Sequence, residues 1–272
     1  EYEPYAKGIA ALHVAETGIV DFRHVALEFA EVARENDAEI FVDVRLLQVN
    51  RRSSRLILQT TKGDLACKML VNCGGLFADR IAKLCDLRVE ASIIPFRGEY
   101  YQLVPERSHL VKNLIYPVPD PRFPFLGVHF TRKMNGTVEA GPNAVLALSR
   151  TGYTWRDVSI EDIAEMILYP GFWRLARKYW ITGVYEVWRS LNKHAFTRAL
   201  QRLVPEVTVN DLVSGGSGVR AQAVSRDGRL LDDFVVQRGE SSIHILNAPS
   251  PAATASIAIG RVIANLVREA LA

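Results

Sequence analysis

The sequence predicts an α/β (α+β) protein in which a sheet-plus-helix domain is inserted into an incomplete Rossmann-like domain. Three observations predict this. Apolar strands end on glycine or proline loops in both outer parts of the chain, at Gly74–Gly75 and after Ile245–Asn247. Residues 91–143 alternate aromatic and β-branched runs with prolines, which is typical of strands and loops. Residues 159–199 have helical spacing of apolar positions instead.

The chain is large enough for both domains. Its 272 residues are 49% hydrophobic and 23% charged, which suits a globular protein with a sizeable core. We expect residues 1–90 and 211–272 to form the discontinuous Rossmann-like domain and residues 91–210 to form the inserted domain. The formal net charge is only +3 and the basic residues are dispersed, so the sequence has no nucleic-acid footprint.

The amino-terminal elements can be predicted in order. Apolar residues at helical spacing behind Asp21 predict a surface-packed helix over residues 21–34. A short strand is predicted over Glu39–Val44, and turn residues then separate the strands of a three-stranded meander, Arg45–Val49, Leu56–Thr61 and Leu65–Asn72. After the two glycines, Phe77–Cys85 is predicted to be helical.

The middle of the chain is predicted to pack its tryptophans inside. Trp173, Trp180 and Trp188 are spread among apolar positions of the helical stretch, and we interpret them as core residues. Gly216–Ala221 fits the pattern G-x-G-x-x-A but precedes the turn Arg226–Gly228, not a helix. It is therefore not interpreted as a dinucleotide-binding loop. No spacing of His, Cys and carboxylate residues predicts a metal site.

Cysteine usage and hydropathy predict the compartment. The three cysteines Cys67, Cys73 and Cys85 are an odd number without zinc-like pairing, which indicates free thiols in a reducing compartment. No apolar run reaches the ~18 residues of a membrane span. We expect a cytoplasmic protein, with peripheral membrane contact left open. The first residue is not Met, and we expect the chain to begin inside a longer protein.

The segment from Ile245 to Gly260 has two readings. An apolar strand passes through a proline-set loop into a helix opened by small residues. The first-turn amides of such a helix and its positive dipole end can hold an electron-rich oxygen, while Ala252, Ala253 and Ser256 would let a flat ring approach. The alternative is an ordinary connection capped by Ser250 or Thr254.

Five further segments carry a family resemblance: Thr17–Asp21, Ile115–Asp120, Phe123–Thr131, Gly141–Ala147 and Asn247–Thr254. Together they resemble the FAD-dependent amino-acid and hydroxy-acid oxidoreductases of the D-amino-acid oxidase superfamily, and within it the L-2-hydroxyglutarate dehydrogenases. The likeness covers essentially the whole chain. The first strand of the family and its G-x-G-x-x-G have no counterpart here, so the resemblance implies an FAD-binding domain that is incomplete in this chain.

The resemblance implies FAD as the cofactor and oxidation of L-2-hydroxyglutarate to 2-oxoglutarate by hydride transfer to flavin. Cofactor contacts are then expected from the glycine corner and the carboxyl-terminal loop, from Val44, Cys73, Gly74, Gly75, Leu76, Asn247, Pro249, Ser250, Ala252, Ala253 and Thr254.

A dicarboxylic substrate requires cations, and the resemblance points to two arginines. Arg220 matches the position of a carboxylate-binding arginine, and its alternative is a surface or salt-bridge role. Arg97 could meet the distal carboxylate or pair with an acid such as Glu99. Tyr100 and Asn143 could add hydrogen bonds to the substrate.

The hydroxyl proton of the substrate requires a base. His129 lies in an otherwise apolar, strand-like run, and an imidazole with a pKa near ~6.5 suits proton transfer. A hydrogen-bonded core histidine is the alternative, and His244 is the other candidate base.

The substrate is therefore expected to be a small dicarboxylic 2-hydroxy acid, with oxygen or a quinone pool as electron acceptor and a homo-oligomer possible. Three alternatives stay open at this point. The chain could belong to a flavin oxidoreductase of an amino acid, to one of glycerol 3-phosphate, or to a non-catalytic fragment.

Overall fold

The computed structural model describes residues 2–52, 54–118, 127–248 and 251–271. The chain divides into two compact units. Unit 1 comprises Glu1–Glu28, Phe96–Ser159 and Ala176–Arg220, and unit 2 comprises Phe29–Pro95, Ile160–Leu175 and Ala221–Ala272. The mixture of helices and sheets confirms the predicted α/β (α+β) class. The assignment of residues 1–90 with 211–272 to an FAD-binding domain stays a prediction.

The described residues form helices and strands in the following order. The helices are α1 Phe22–Glu35, α2 Ala78–Leu84, α3 Ile160–Leu168, α4 Pro170–Leu191, α5 Lys193–Leu200 and α6 Ser256–Leu271. The strands are β1 Leu46–Arg52, β2 Arg55–Thr60, β3 Gly63–Cys67, β4 Leu70–Asn72, β5 Ala91–Leu103, β6 Leu114–Ile115, β7 His129–Arg132, β8 Val138–Gly141, β9 Val145–Leu146, β10 Leu212–Ser225, β11 Val235–Gly239 and β12 Ser242–Asn247.

Unit 2 contains two three-stranded sheets. In the first, β1, β2 and β3 pair antiparallel in chain order, which confirms the predicted meander. In the second, β11 pairs antiparallel with β12, and β12 pairs parallel with β4. Helix α2 packs on this second sheet through Ala78 and Ala82, which form a buried cluster with Leu246. The two strands therefore run in the same direction, and β12 continues to Asn247 beyond its last pair with β4, His244 with Asn72.

The core of unit 1 lies between strands β6, β7 and β8 and helix α5. Phe130 pairs with Ile115 on one side and with Ala140 on the other. Phe196 and Leu200 of α5 are buried against the same sheet. The remaining buried members of this core are Leu103, Leu110, Val111, Val128, Val138, Val204, Val207 and Leu212.

Several local predictions hold. Helix α1 begins behind Asp21, whose carboxylate accepts a hydrogen bond from the backbone N–H of Arg23 at 2.9 Å. Helix α2 covers most of the predicted Phe77–Cys85 segment. The whole of Gly216–Ala221 lies within strand β10, so no helix follows its glycines.

Other local predictions are wrong. Residues 39–44 form no strand, because Asp43 takes a left-handed backbone with φ 56° and the segment pairs with no neighbour among the described residues. The predicted strand Leu65–Asn72 is two strands, β3 and β4, in two different sheets.

The tryptophans of α4 are not core residues. Trp173, Trp180 and Trp188 are 57%, 63% and 46% exposed. The helix is interrupted at Tyr179, whose φ of −119° and ψ of 17° are not helical. Within the described ranges, no helix is both long enough and apolar enough to cross a membrane. Cys67, Cys73 and Cys85 are free thiols.

Candidate functional site

Unit 2 brings the two predicted cofactor segments to one sheet edge. Gly74 and Gly75 follow the carboxyl end of β4, and Asn247 ends the adjacent parallel strand β12. In open α/β sheets, ligands bind outside the carboxyl ends of parallel strands. We call this the β4/β12 edge. The register that pairs Asn72 with His244 fixes the relative position of the two segments.

The glycine corner is shaped by Asn72. Its side-chain Oδ1 accepts a hydrogen bond from the backbone N–H of Gly74 at 3.0 Å. Its Nδ2 donates to the carbonyl of Ala78 at 2.8 Å and lies 3.0 Å from His244 Nδ1. Gly75 has a φ of 52°, in the left-handed region that favours glycine, and a Cβ there would meet no atom within 4 Å. The corner therefore leaves space on its outer side.

His244 supports this corner from the neighbouring strand. Because Asn72 Nδ2 is a donor, His244 Nδ1 must accept, which places the proton of the neutral imidazole on Nε2. That Nε2 is buried and has no hydrogen-bond partner in the described part of the chain. Burial lowers the pKa of His244. The residue is thus a neutral part of the corner, and Asn72 is a positioning residue that the sequence reasoning missed.

The carboxyl-terminal loop is placed less tightly. Ala252 is half-buried, while Ala253 and Thr254 are exposed. Thr254 Oγ1 donates to the carbonyl of Pro251 at 2.9 Å. Helix α6 begins only at Ser256. The predicted contacts Pro249 and Ser250 lie outside the described residues.

Three of the other predicted cofactor residues, Cys73, Leu76 and Asn247, lie at or after the ends of β4 and β12, whereas Val44 precedes β1 of the other sheet. The side-chain Nδ2 of Asn247 donates to the carbonyls of Leu231 at 3.0 Å and Asp233 at 2.8 Å, so it fixes the preceding loop. Cys73 is an exposed residue, and partial burial of its thiol raises the pKa of that group. Leu76 lies in the short 3-10 turn after β4. Val44 is half-buried just before β1.

Unit 1 places Arg97 and Asn143 in one polar network around Glu99. Arg97 is 0% exposed, and its Nε and Nη2 donate to Glu99 Oε1 at 3.1 and 2.8 Å. Asn143 Nδ2 donates to Glu99 Oε2 at 2.8 Å, and Asn143 Oδ1 accepts from the backbone N–H of Glu99 at 2.8 Å. Of the two roles left open for Arg97, the structure contains the ion pair with Glu99.

The rest of the network encloses the guanidinium of Arg97. Its Nη1 donates to the carbonyl of Thr154 at 3.0 Å, and its Cζ lies 4.6 Å from the ring centroid of Trp155. Trp155 Nε1 donates to Ser190 Oγ at 3.1 Å, and that hydroxyl donates in turn to Glu99. No local pattern could predict the role of Ser190, because it is 91 residues from Glu99 along the chain.

His129 begins strand β7 and is held on two sides. Its ring stacks on Tyr116, with centroids 4.2 Å apart and an interplanar angle of 18°. Its Nδ1 lies 3.0 Å from the carbonyl of Gly127, which can only accept, so Nδ1 carries the proton. Burial lowers the pKa of His129, and the hydrogen bond to Gly127 opposes this. The neutral ring therefore presents a lone pair on Nε2, as a general base requires.

Tyr100 lies near His129 in the sheet. His129 pairs with Gly141, and a Cβ on Gly141 would lie 3.2 Å from Tyr100 Cδ1. Burial raises the pKa of Tyr100, and the charge of Glu139 adds to the increase. The phenol therefore stays protonated and can donate a hydrogen bond. Tyr116, which the sequence reasoning missed as a partner of His129, adds a further small increase.

Arg220 lies within strand β10, five residues before its end, and is exposed. Burial of part of the side chain lowers the pKa of its guanidinium. It remains a cation at neutral pH, because the ordinary pKa of arginine is above ~12. No group of His, Cys, Asp and Glu side chains within the described ranges is arranged to hold a metal ion.

Comparison with known proteins shows the family to which the chain belongs. The model of the FAD dependent oxidoreductase family matches residues 1–266, so the chain belongs to that family. It is 51% identical over 260 residues to the L-2-hydroxyglutarate dehydrogenase of Indibacter alkaliphilus, covering 95% of this chain and 65% of that protein. It is 43% identical over 284 residues to the mitochondrial L-2-hydroxyglutarate dehydrogenase of Homo sapiens, covering 98% of this chain and 61% of that protein. The chain thus spans under two thirds of these relatives.

Solved structures show the same fold at low identity. The L-alpha-glycerophosphate oxidase of Mycoplasma pneumoniae, with FAD bound, has a TM-score of 0.61 at 16% identity, over 89% of this chain and 53% of that one. The glycine oxidase of Geobacillus kaustophilus has a TM-score of 0.57 at 17% identity, over 90% of this chain and 53% of that one. These likenesses confirm the predicted fold class.

The residues of the β4/β12 edge fit FAD, the cofactor of the family. The open side of Gly75 admits a ligand against the backbone, and the exposed Ala253 and Thr254 present no bulky side chain to it. No acidic residue occurs among Cys73–Leu76 or Pro251–Thr254 to repel the cofactor phosphates. These features are compatible with a cofactor at this edge, and the individual contacts stay predictions.

Proposed function

We propose that this chain is part of an FAD-dependent dehydrogenase that oxidises L-2-hydroxyglutarate to 2-oxoglutarate. The observation that carries the proposal is its 51% identity, over 95% of its length, to a protein named L-2-hydroxyglutarate dehydrogenase. The geometry of His129 supports it, because oxidation of a 2-hydroxy acid needs an acceptor for the hydroxyl proton.

In this proposal, the flavin supplies the acceptor for the hydride from the α-carbon of the substrate. His129 Nε2 accepts the hydroxyl proton, while the Nδ1–H bond to Gly127 and the stack on Tyr116 hold the ring in place. Tyr100 donates a hydrogen bond from its protonated phenol to a substrate oxygen.

Arg220 binds a substrate carboxylate, because a planar guanidinium can donate two parallel hydrogen bonds to it. For Arg97 and Asn143, we propose indirect roles in substrate binding. Their polar groups are engaged with Glu99. They therefore hold the segment after β8 against β5, the strand that carries Tyr100.

For the cofactor, we propose contacts from Val44, Cys73–Leu76, Asn247, Pro249, Ser250, Ala252, Ala253 and Thr254. The support is the parallel pairing that brings the Gly74–Gly75 corner and the loop after Asn247 to one edge. The side chain of Asn247 acts indirectly, because both of its Nδ2 hydrogen bonds go to carbonyls of the loop before β11, those of Leu231 and Asp233.

The remaining alternatives are not favoured. An amino acid or glycerol 3-phosphate as substrate would rest on structural neighbours at 17% identity or less, which show the fold alone. We propose a small dicarboxylic 2-hydroxy acid, with oxygen or a quinone pool as electron acceptor and a homo-oligomeric assembly. For the location we propose the cytoplasm, with contact to a membrane surface through the exposed side chains of Trp180, Ile181 and Trp188.

Anaerobic mixing of the flavin-loaded protein of full natural length with L-2-hydroxyglutarate tests the reaction. Flavin absorbance should bleach and 2-oxoglutarate should form in equal amount. D-2-Hydroxyglutarate, L-glutamate and glycerol 3-phosphate serve as matched controls and should leave the flavin oxidised. Faster bleaching by any control than by L-2-hydroxyglutarate would refute the substrate assignment.

A further inference from the structure

Unit 2 contains a cavity at the end of the sheet opposite the β4/β12 edge. The cavity has a volume of about 510 Å³. It is lined by Lys68 and Met69, just before β4, and by Ser241 and Ser242, at the start of β12. Because β4 and β12 are parallel, these residues lie at the amino ends of both strands. The length of β4, about 10 Å at about 3.3 Å per residue, separates them from the glycine corner.

The lining of this cavity is positively charged. Arg55, Lys68 and Arg238 contribute three cations, and no acidic residue lines the cavity within the described part of the chain. Arg55 and Lys68 make no ion pair with any described residue, whereas Arg238 Nη2 pairs with Glu269 at 3.2 Å. Glu240, which precedes the lining residue Ser241 in the chain, pairs with Arg51. Like-charged side chains that converge on one cavity favour an anionic ligand.

Two serines at the amino end of β12 also line the cavity. Ser242 is 3% exposed as a residue, and Ser241 precedes it in the chain. A serine hydroxyl can donate one hydrogen bond to a ligand oxygen. Ser241 beside it has a φ of 60°, so the hairpin turn holds both serines at the cavity mouth.

We propose that this cavity binds a phosphate monoester with a small organic body. A phosphate dianion has three acceptor oxygens, which match the arginine, lysine and serine donors of the lining. The volume exceeds the need of a single phosphate, and Met69, Ile243 and Leu271 give the rest of the cavity an apolar wall. The site is separate from the proposed reaction and does not rest on it.

Calorimetric titration of the full natural-length protein with phenyl phosphate tests the site. The double variant Arg55→Ala/Lys68→Ala should bind phenyl phosphate at least about tenfold more weakly than the wild type, because two charge-assisted contacts are lost. The matched control Arg198→Ala/Arg202→Ala removes the same charge from two exposed arginines of unit 1 and should bind as the wild type does. Ser242→Ala should weaken binding while leaving the charge unchanged.

Two further measurements use other probes. Benzyl alcohol tests the need for the anion and should not bind, since it has an aromatic ring but no phosphate. Sedimentation with phosphatidylcholine vesicles that contain phosphatidate distinguishes a lipid headgroup from a soluble ester. Loss of either form of binding in Arg55→Ala/Lys68→Ala alone supports the site. Absence of binding to both probes, or equal affinity in the two double variants, would overturn the proposal.

Discussion

Replacing Glu99 with alanine should lower the free energy of unfolding by about 3–5 kcal/mol, because a buried cation loses its counter-charge. The carboxylate accepts hydrogen bonds from Arg97 Nε and Nη2 at 3.1 and 2.8 Å and from Asn143 Nδ2 at 2.8 Å, as well as from Ser190. The alanine leaves these donors without an acceptor. The Glu99 side chain is 21% exposed, so water can partly replace it, and the lower end of the range is expected.

Thermal and urea unfolding measure this loss. For a chain of this size, 1 kcal/mol corresponds to about 2–4 °C in Tm, so the variant should melt about 6–12 °C lower. Near-ultraviolet circular dichroism and tryptophan fluorescence report on Trp155, which lies over the Arg97 guanidinium.

Two controls make the measurement specific. Glu31→Ala removes an exposed partner of Arg34 and should cost at most about 1 kcal/mol. The double variant Arg97→Met/Glu99→Ala removes the stranded cation as well and should be more stable than Glu99→Ala. If Glu99→Ala were as stable as Glu31→Ala, the ion pair would not hold this network, and Arg97 would again be a candidate for direct substrate binding.

Three further predictions concern the proposed base, the carboxylate anchor and the backbone of α4. Because burial lowers the His129 pKa below about 6.5, the ring is neutral at neutral pH, and kcat should fall only at more acidic pH. His129→Gln should lower kcat about 10²–10⁴-fold and remove this acidic limb of the pH profile, and a retained limb would assign it to another group. Arg220→Ala should cost about 1.5–3 kcal/mol of transition-state stabilisation with L-2-hydroxyglutarate, which lowers kcat/KM roughly tenfold to a hundredfold and leaves FAD content unchanged. An unaltered kcat/KM would refute the proposed carboxylate contact. Gly171→Ala would place a Cβ 2.3 Å from the carbonyl oxygen of Ser225 and should lower the free energy of unfolding by about 2–4 kcal/mol, measured in urea. Gly183→Ala, whose Cβ would meet no atom within 4 Å, should cause no loss, and equal urea midpoints for the two variants would contradict the close approach.

Burial of His129 also has a consequence for stability. A histidine whose pKa is lowered by folding binds fewer protons in the folded state than in the unfolded state just below pH ~6.5. Stability that depends on the neutral ring is therefore present above the unfolded pKa and is lost as the pH falls toward the folded pKa. His244 acts in the same direction, because burial lowers its pKa as well.

Local periodicity predicted the elements that depend on neighbouring residues. The meander β1–β3, helix α2 and the strand of His129 follow from alternating or helical spacing and from turn residues close in sequence. The segment Glu39–Val44 has the composition of a strand but finds no partner strand, and a strand requires one. The prediction that the tryptophans of α4 are core residues was wrong for a similar reason. Apolar spacing identifies one face of a helix but does not show whether another element covers that face.

The β4/β12 edge was predictable because glycines and small residues directly follow two apolar strands. Their meeting at one edge depends on the parallel pairing of β4 with β12, which joins residues 172 positions apart, as in the contact between Asn72 and His244. No local pattern contains that pairing. The role of Asn72 was missed because an asparagine at a strand end has many local uses, and only the neighbouring strand selects one.

The choice between ligand and ion pair at Arg97 was open in the sequence for a physical reason. Residues 97 and 99 are two apart on a strand, so their side chains lie on one face and can pair, but the same face could equally hold a carboxylate ligand. The enclosure decides between them: Thr154 and Trp155 cover the guanidinium, and Ser190 completes the bonds of Glu99. Arg97 is 0% exposed, and its partners Glu99, Thr154 and Trp155 belong to unit 1. Arg220, by contrast, is exposed. We therefore propose support for Arg97 and ligand binding for Arg220, and the variants Glu99→Ala and Arg220→Ala should differ, the first in stability and the second in kcat/KM.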